Sequence, residues 1–382
     1  MDLKAWMQPI IENNVHLITT DRDLQTFMVG AFSLLITIVL YCTYCNDFGQ
    51  AEVCFHAADL MLSGTFDYPS LGVDLQPLTV LLLLPPRLFS PDPTVYRYLF
   101  SLYGFAFYML GGHFMLKSCR ETGYSQRDAY ILLFIFFLCA FSWMTLSTGP
   151  VAIAFTIMSL WFFHIGRYNT SMVVLALATM TGFFPVLLAI VYIVCLLRRR
   201  EFIRSVAGWL AYACICTLLL FFPLNNPFAM AEYALSPSLM GLLHVWFGVD
   251  VHSWILVIGA LLLSICIVVP GAWRISQERP HMRGYALLLE LGLIILILLS
   301  PEYSPMQFIW IVMLFPMTQM TGHPFKGQKI TYLVLTAFCG LSLISDSVIA
   351  AGSVSDAVSL IRYVALIILE IQLFREFKSM EN

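Results

Sequence analysis

Stretches of about 20 apolar residues, separated by short polar joints, recur along the whole chain. A helix needs about that length to cross the roughly 30 Å of hydrocarbon in a bilayer, and a water-soluble fold has no place for so many of them. The runs fall at 27–44, 75–90, 95–116, 129–147, 151–166, 172–197, 206–222, 253–272, 285–299, 305–320, 330–350 and 357–374. Composition closes the soluble alternative: 60% of the residues are hydrophobic and 11% charged, against about 25% charged in a soluble domain. The expected fold class is all-α, a polytopic membrane protein of about 12 transmembrane helices.

Segment 1–26 carries Asp2, Lys4, Glu12, Asp21, Arg22 and Asp23 ahead of the first run, so it reads as a cytoplasmic amino-terminal segment with no cleavable leader. Cytoplasmic joints keep an excess of Lys and Arg. With the amino terminus inside, 15 of the 20 basic residues fall on the cytoplasmic side: Lys4, Arg22, Arg87, Arg97, Arg198, Arg199, Arg200, Arg204, Arg274, Arg279, Arg283, Lys326, Lys329, Arg375 and Lys378. The opposite segments 41–74, 223–252, 300–304 and 346–356 hold ten acids and no Lys or Arg. Both termini are then expected in the cytoplasm of a cell whose inner or plasma membrane holds the chain. One joint breaks the rule, because Lys117, Arg120 and Arg127 fall outside together with Arg167.

The outer loop 41–74 is longer than a connection requires, and its stretch AEVCFHAADLMLSG mixes Val53, Phe55, Leu60 and Leu62 with Glu52, His56 and Asp59. Such a segment suits the membrane interface. A second long outer segment, 223–252, contains Pro223, Pro227, Pro237, Tyr233, Trp246 and Phe247. Long irregular segments on one face build sites, although Trp246 reads equally as an interface anchor.

Several chemistries have no signature here. The chain contains no GxxxxGK[ST] loop, no HExxH and no GxSxG, and no nucleic-acid partner is expected. Most cysteines sit inside apolar runs, where the thiol behaves as a small hydrophobe; a disulfide among Cys42, Cys45 and Cys54 is the alternative on an oxidising outer face. Asp21-Arg22-Asp23 has the DxD form of metal-holding transferases, but on the cytoplasmic side it reads as a solvated charge cluster.

Residues 46–85, NDFGQAEVCFHAADLMLSGTFDYPSLGVDLQPLTVLLLLP, resemble the first outer loop of GT-C superfamily membrane glycosyltransferases. The likeness is greatest to the polyprenyl-phosphate-mannose-dependent mannosyltransferase of mycobacterial phosphatidylinositol mannosides. In that family an Asp closes the first span, an amphipathic helix with a glycine ending follows, and a proline element opens a hydrophobic run closed by Pro. The matching positions are Asp47, His56 to Gly64, Pro77 and Pro85. Residues 148–200 are similar to the family's paired helices with a Pro-interrupted helix and a basic joint, and LLSPEYSPMQFIWIVMLFP to its late Ser-Pro element. Departures occur at Gly149-Pro150, at Gly182 ahead of Pro185, and at Met306 and Gln307. They leave the sugar and the acceptor open.

The resemblance implies transfer of a sugar, mannose or a related hexose or pentose, from a polyprenyl-phosphate donor to a glycolipid or glycan acceptor at the outer face. It also divides the chain into a GT-C-like module at 27–222 and a variable module at 223–382. Direct displacement inverts the anomeric centre and needs a carboxylate base and cations for the leaving phosphate. It requires no cofactor, without excluding a divalent metal. Asp47 is the candidate base, its alternative being a solvated helix end. Glu52, Asp59 and Asp67 are lesser candidates for the base; Glu52 and Asp59 are also candidates for substrate contact, joined by Gln307, His244 and His252, whose alternative is packing or a wet side chain. For the donor phosphate the candidates are His56, Lys117, Arg120, Arg127 and Arg362. Arg362 follows Asp356 by six residues, which sets it about 9 Å into the last span, where a charge needs a partner. That partner is Asp356, Asp346 or the donor. Glu290 and Glu370 are expected to snorkel to the inner surface. A multi-span transporter or lipid-linked-glycan flippase is the alternative function.

Overall fold

The computed structural model describes residues 49–65, 77–121, 149–182, 184–221, 253–276, 282–299 and 353–379, with single positions at 28, 31, 35, 71, 310, 311, 314, 317 and 318. Among these residues the chain is 90% helical with no strand. Runs 129–147 and 330–350, most of 27–44 and 305–320, and the loop 223–252 lie outside the described residues. The helices are α1 (Gly49–Leu62), α2 (Pro77–Leu82), α3 (Leu84–Phe89), α4 (Pro93–Glu121), α5 (Gly149–His164), α6 (Tyr168–Thr181), α7 (Val186–Arg198), α8 (Val206–Phe221), α9 (Ser253–Ile275), α10 (Met282–Leu298) and α11 (Ser353–Ser379), with a 3₁₀ turn at Phe202–Ser205. Among the described residues two stretches, Phe202–Leu219 and Ile258–Ile275, are long and apolar enough to cross a membrane.

Where the helices start follows from local chemistry. Asp92 precedes α4 and its Oδ1 accepts the amides of Thr94 (2.7 Å) and Val95 (3.4 Å), while Pro93 occupies the first helical position, where no donor is lost. At the other end of α1, Gly64 takes φ +95°, the left-handed geometry that suits glycine, and Thr65 N donates to Leu60 O at 3.0 Å. Helix α10 is apolar on all sides and buried without a break from Gly284 to Ile297, as a central helix must be.

Cross-helix contacts give the bundle two distinct ends. Phe107 meets Phe155 at 5.4 Å between ring centroids and, seven residues on in both helices, Phe114 meets Phe162 at 5.6 Å, so α4 and α5 run parallel. Lys117 is therefore level with Arg167. Tyr168 donates its hydroxyl to Glu201 Oε2 at 2.5 Å, which brings the start of α6 beside the end of α7. Arg199 donates to Ser276 O (3.3 Å) and Tyr285 Oη (3.1 Å), and Arg283 to Glu376 Oε2 (2.6 Å). These bonds gather the end of α9, the start of α10 and the end of α11 with Arg198, Arg199, Arg200 and Arg204. This is the basic end. The amphipathic end, opposite, is formed by α1, α3 and the start of α4.

Two of the expected spans are corrected by these contacts. Run 75–90 does not cross the bundle. Pro85 and Pro86 enter α3 in its first turn and cannot continue the hydrogen-bond ladder of α2. The kinked segment joins α6, where Thr79 Oγ1 donates to Thr181 O at 2.9 Å, to α1, where Arg87 Nη2 donates to Asp59 Oδ1 at 2.5 Å. Arg87, expected on the cytoplasmic side, thus shares an end with Asp59, expected on the outer one, and Arg97 follows it in the first turns of α4. Run 172–197 is two antiparallel helices, α6 and α7. The chain is extended at Gly182, with φ −156° and ψ 136°, and Pro185 restarts it, because the residue before a proline disfavours helix.

The core holds the pieces in register. Phe163 stacks on Tyr192 at 3.8 Å and meets the edge of Tyr285 at 5.3 Å. Ser159 and Ser171 bond reciprocally, each hydroxyl reaching the other's carbonyl at 3.0 and 2.8 Å. A Cβ at Gly208 would lie 2.7 Å from Asn169 Cα, so only glycine lets α8 approach α6, and its amide donates to Asn169 Oδ1 at 2.9 Å. Glu290 is wholly buried and does not snorkel to the surface as expected.

Candidate functional site

Helix α1 lies on the amphipathic end through Cys54, Ala57, Ala58 and Met61, which bury against Val80, Leu83, Tyr96, Phe100 and Val151. Two alanines with no exposed surface let α1 approach closely, and Phe55 meets Tyr96 edge-on at 5.4 Å. Tyr96 in turn donates its hydroxyl to Leu83 O at 3.2 Å, a carbonyl at the α2–α3 kink. The opposite face of α1 carries Glu52, His56 and Asp59, all exposed, at the i, i+4 and i+7 spacing of one helical stripe. Val53 and Leu62 are exposed beside them.

The cation on this face is one that the sequence reading placed elsewhere. Arg87 directs Nε (3.1 Å) and Nη2 (2.5 Å) at Asp59 Oδ1, its Nη1 reaches Ser90 O at 3.4 Å, and its guanidinium lies 5.0 Å from the centre of the Phe55 ring. Asp59 keeps half of its side-chain surface open while Arg87 is largely covered. The signal for Arg87 was in the sequence: two consecutive prolines, Pro85 and Pro86, break the run it belongs to.

Of the predicted site residues, the structure brings together Glu52, His56 and Asp59, and adds Arg87. Asp47, two residues ahead of Gly49 in the sequence, lies outside the described residues. Lys117 is separated from this group. It follows Tyr96 by 21 residues in α4, about 30 Å along the axis, and its ammonium sits 5.4 Å from the Phe114 ring. Arg120 follows in the last turn of the same helix. One phosphate cannot contact both His56 and this pair. Arg362 lies in α11 fourteen residues before Glu376, about 21 Å from the basic end. Arg127, Gln307, His244 and His252 lie outside the described residues.

Cys54 is a free, buried thiol, so its part in the disulfide alternative is removed; burial pushes it up to about 11. Among the described residues no three His, Cys, Asp or Glu side chains converge as metal ligands, and the cluster on α1 offers a hydrogen-bonding and ionic surface instead. No known protein family matches the chain, and no curated protein does.

Proposed function

We propose that the chain is a multi-span integral membrane glycosyltransferase that moves a sugar from a polyprenyl-phosphate donor to a glycolipid or glycan acceptor by direct inverting displacement. Membrane residence is supported by apolar side chains open to the surroundings on three helices. Leu210 and Leu218 of α8 expose 67% and 60% of their surface, Leu262 of α9 57%, and Ile361 and Phe374 of α11 54% and 53%. Soluble proteins seldom leave such patches uncovered. Run 75–90 is lost as a crossing, and run 172–197 becomes two shorter arms of 14 and 13 residues. With the amphipathic end outward, Lys117, Arg120 and Arg167 join the cytoplasmic cations, while Arg87 and Arg97 move to the outward end.

The observation that carries the transferase reading is the open stripe of Glu52, His56 and Asp59 on a helix laid across the outward end, with Arg87 fixed beside it. Asp47, just ahead of that helix, takes the acceptor proton. Arg87 holds the departing phosphate, a pairing in which a guanidinium presents two donors at once; His56 lies on the same stripe for a second contact.

Incubating the purified protein with radiolabelled polyprenyl-phosphate sugars and a membrane lipid extract should give a labelled glycolipid or glycan. Asp47→Asn should lower the rate by about 10²- to 10⁴-fold while the protein remains folded. Activity within tenfold of the parent rejects Asp47 as the base. No labelled product from any donor, together with movement of a lipid-linked sugar across vesicles, turns the assignment to a flippase.

A further inference from the structure

A cavity of about 500 Å³ opens between α9, α10 and α11 in the half of the bundle nearest the basic end, a size typical of small-molecule sites. Its walls are apolar: Cys266 and Pro270 of α9, Leu288 and Leu291 of α10, Phe374 and Phe377 of α11. Pro270 sits within α9, where it removes one ladder bond and cannot contribute a side chain long enough to fill the gap. Two cations, Arg274 and Lys378, line the same cavity. Both are exposed, and both lie within a turn of residues tied together at the basic end. Along the same stretch α9 and α11 expose Leu262, Leu263, Ile367 and Ile371. Trp273, next to Arg274, is half exposed with the Arg198 guanidinium 4.6 Å from its ring, as suits a side chain at a headgroup boundary.

An apolar slot capped by two cations at one level is complementary to a molecule with a long hydrocarbon chain and a phosphate at its end. Neither a soluble anion, which gains nothing from Leu291 and Phe377, nor a neutral lipid, which gains nothing from Arg274 and Lys378, uses both halves. We infer that this cavity is a binding site for an anionic glycerophospholipid of the cytoplasmic leaflet, with one acyl chain between α9 and α11 and its phosphate between Arg274 and Lys378. Basic recesses between membrane helices on the cytoplasmic side bind such headgroups. The inference needs the bundle to sit in a bilayer and is independent of the chemistry at the other end.

The full chain, purified in detergent and titrated with phosphatidylglycerol or phosphatidylcholine of equal chain length, gives the test by native mass spectrometry. One phosphatidylglycerol should bind per chain in preference to phosphatidylcholine. Arg274→Gln with Lys378→Gln should weaken it by about 20-fold, roughly fivefold for each cation. The comparison pair Arg200→Gln with Arg204→Gln, which removes two cations from the same end but none from the cavity, should leave it unchanged. Soluble glycerol phosphate should not compete. Equal loss in both pairs would mean diffuse attraction to the basic end, equal binding of phosphatidylcholine would remove the role of the cations, and competition by glycerol phosphate would make it a site for a soluble anion; each overturns the inference.

Discussion

The two ends of the bundle use charge in opposite ways. At the basic end the arginines are tied: Arg199 to Ser276 and Tyr285, Arg283 to Thr318 and Glu376, Arg198 over Trp273. These bonds join helices distant in sequence and serve the packing. At the amphipathic end Glu52, His56 and Asp59 lie open on one stripe, and the apolar side of the same helix does the holding. Cations that join helices distant in sequence are released only by loosening the packing, whereas Arg87 can exchange its bonds to the half-open Asp59 for a ligand's oxygens, which is why the chemistry is proposed for α1 and the stability for the opposite end.

The largest test of this contrast is its geometry, since the outcome of labelling is all or none. In a background without reactive native cysteines, Ser63→Cys and Phe89→Cys should be labelled by an impermeant maleimide from one side of sealed membranes. Lys117→Cys and Arg204→Cys should be labelled only from the other. Phe89→Cys on the side of Arg204→Cys would restore run 75–90 as a crossing and dissolve the amphipathic end.

Next in size, Arg283→Met should lower stability by about 3 kcal/mol, because it removes the Arg283 contact from a largely covered Glu376. Thermal unfolding in detergent measures it, and the proposed transfer reaction below the transition should be unaffected. Arg87→Gln should do the reverse. Its pair with Asp59 is half exposed and contributes under about 1 kcal/mol, so unfolding should scarcely shift. Donor affinity should fall by about tenfold or more, as expected for a lost charge-assisted bond, with acceptor affinity retained. A lower unfolding temperature at unchanged donor affinity would make the pair structural.

The smallest effect concerns Cys54 at the seam beneath α1. Burial raises its pKa from an ordinary 9 to about 11, so the fold favours the neutral thiol. That contribution is whole below pH 9 and is lost as pH rises through about 11. Alkylation by iodoacetamide should therefore be slow at pH 8, where Ser63→Cys reacts readily. Rapid alkylation of Cys54 at pH 8 would mean that α1 lifts from the bundle, and the open stripe would then belong to a mobile segment.

Much of the site was legible because it depends on local pattern. The alternation of Glu52, His56 and Asp59 with Cys54, Ala57, Ala58 and Met61 specifies a helix with one buried face wherever that face finds a partner. Gly64 marks its end. What could not be read was which cation would stand beside it. Arg87 is 28 residues from Asp59, and assigning it depended on whether 75–90 crosses. The prolines at 85 and 86 carried that information, but apolar length outweighed them in the reading. Lys117 and Arg120 failed as partners of His56 for the same reason: one misread crossing inverts the faces that follow, until the turn between α6 and α7 restores them.

By itself the sequence determined an all-helical chain rich in apolar runs, the amphipathic character of 49–62 and the clustering of basic residues in a few joints, because each follows from composition and periodicity over a few turns. The tertiary structure alone decided that 77–89 lies at one end, that 172–197 folds into two arms, and that Lys117 stands level with Arg167. The direction of a helix depends on whether the chain turns back at a proline or a glycine, and an apolar run looks the same in either direction until its ends find their partners.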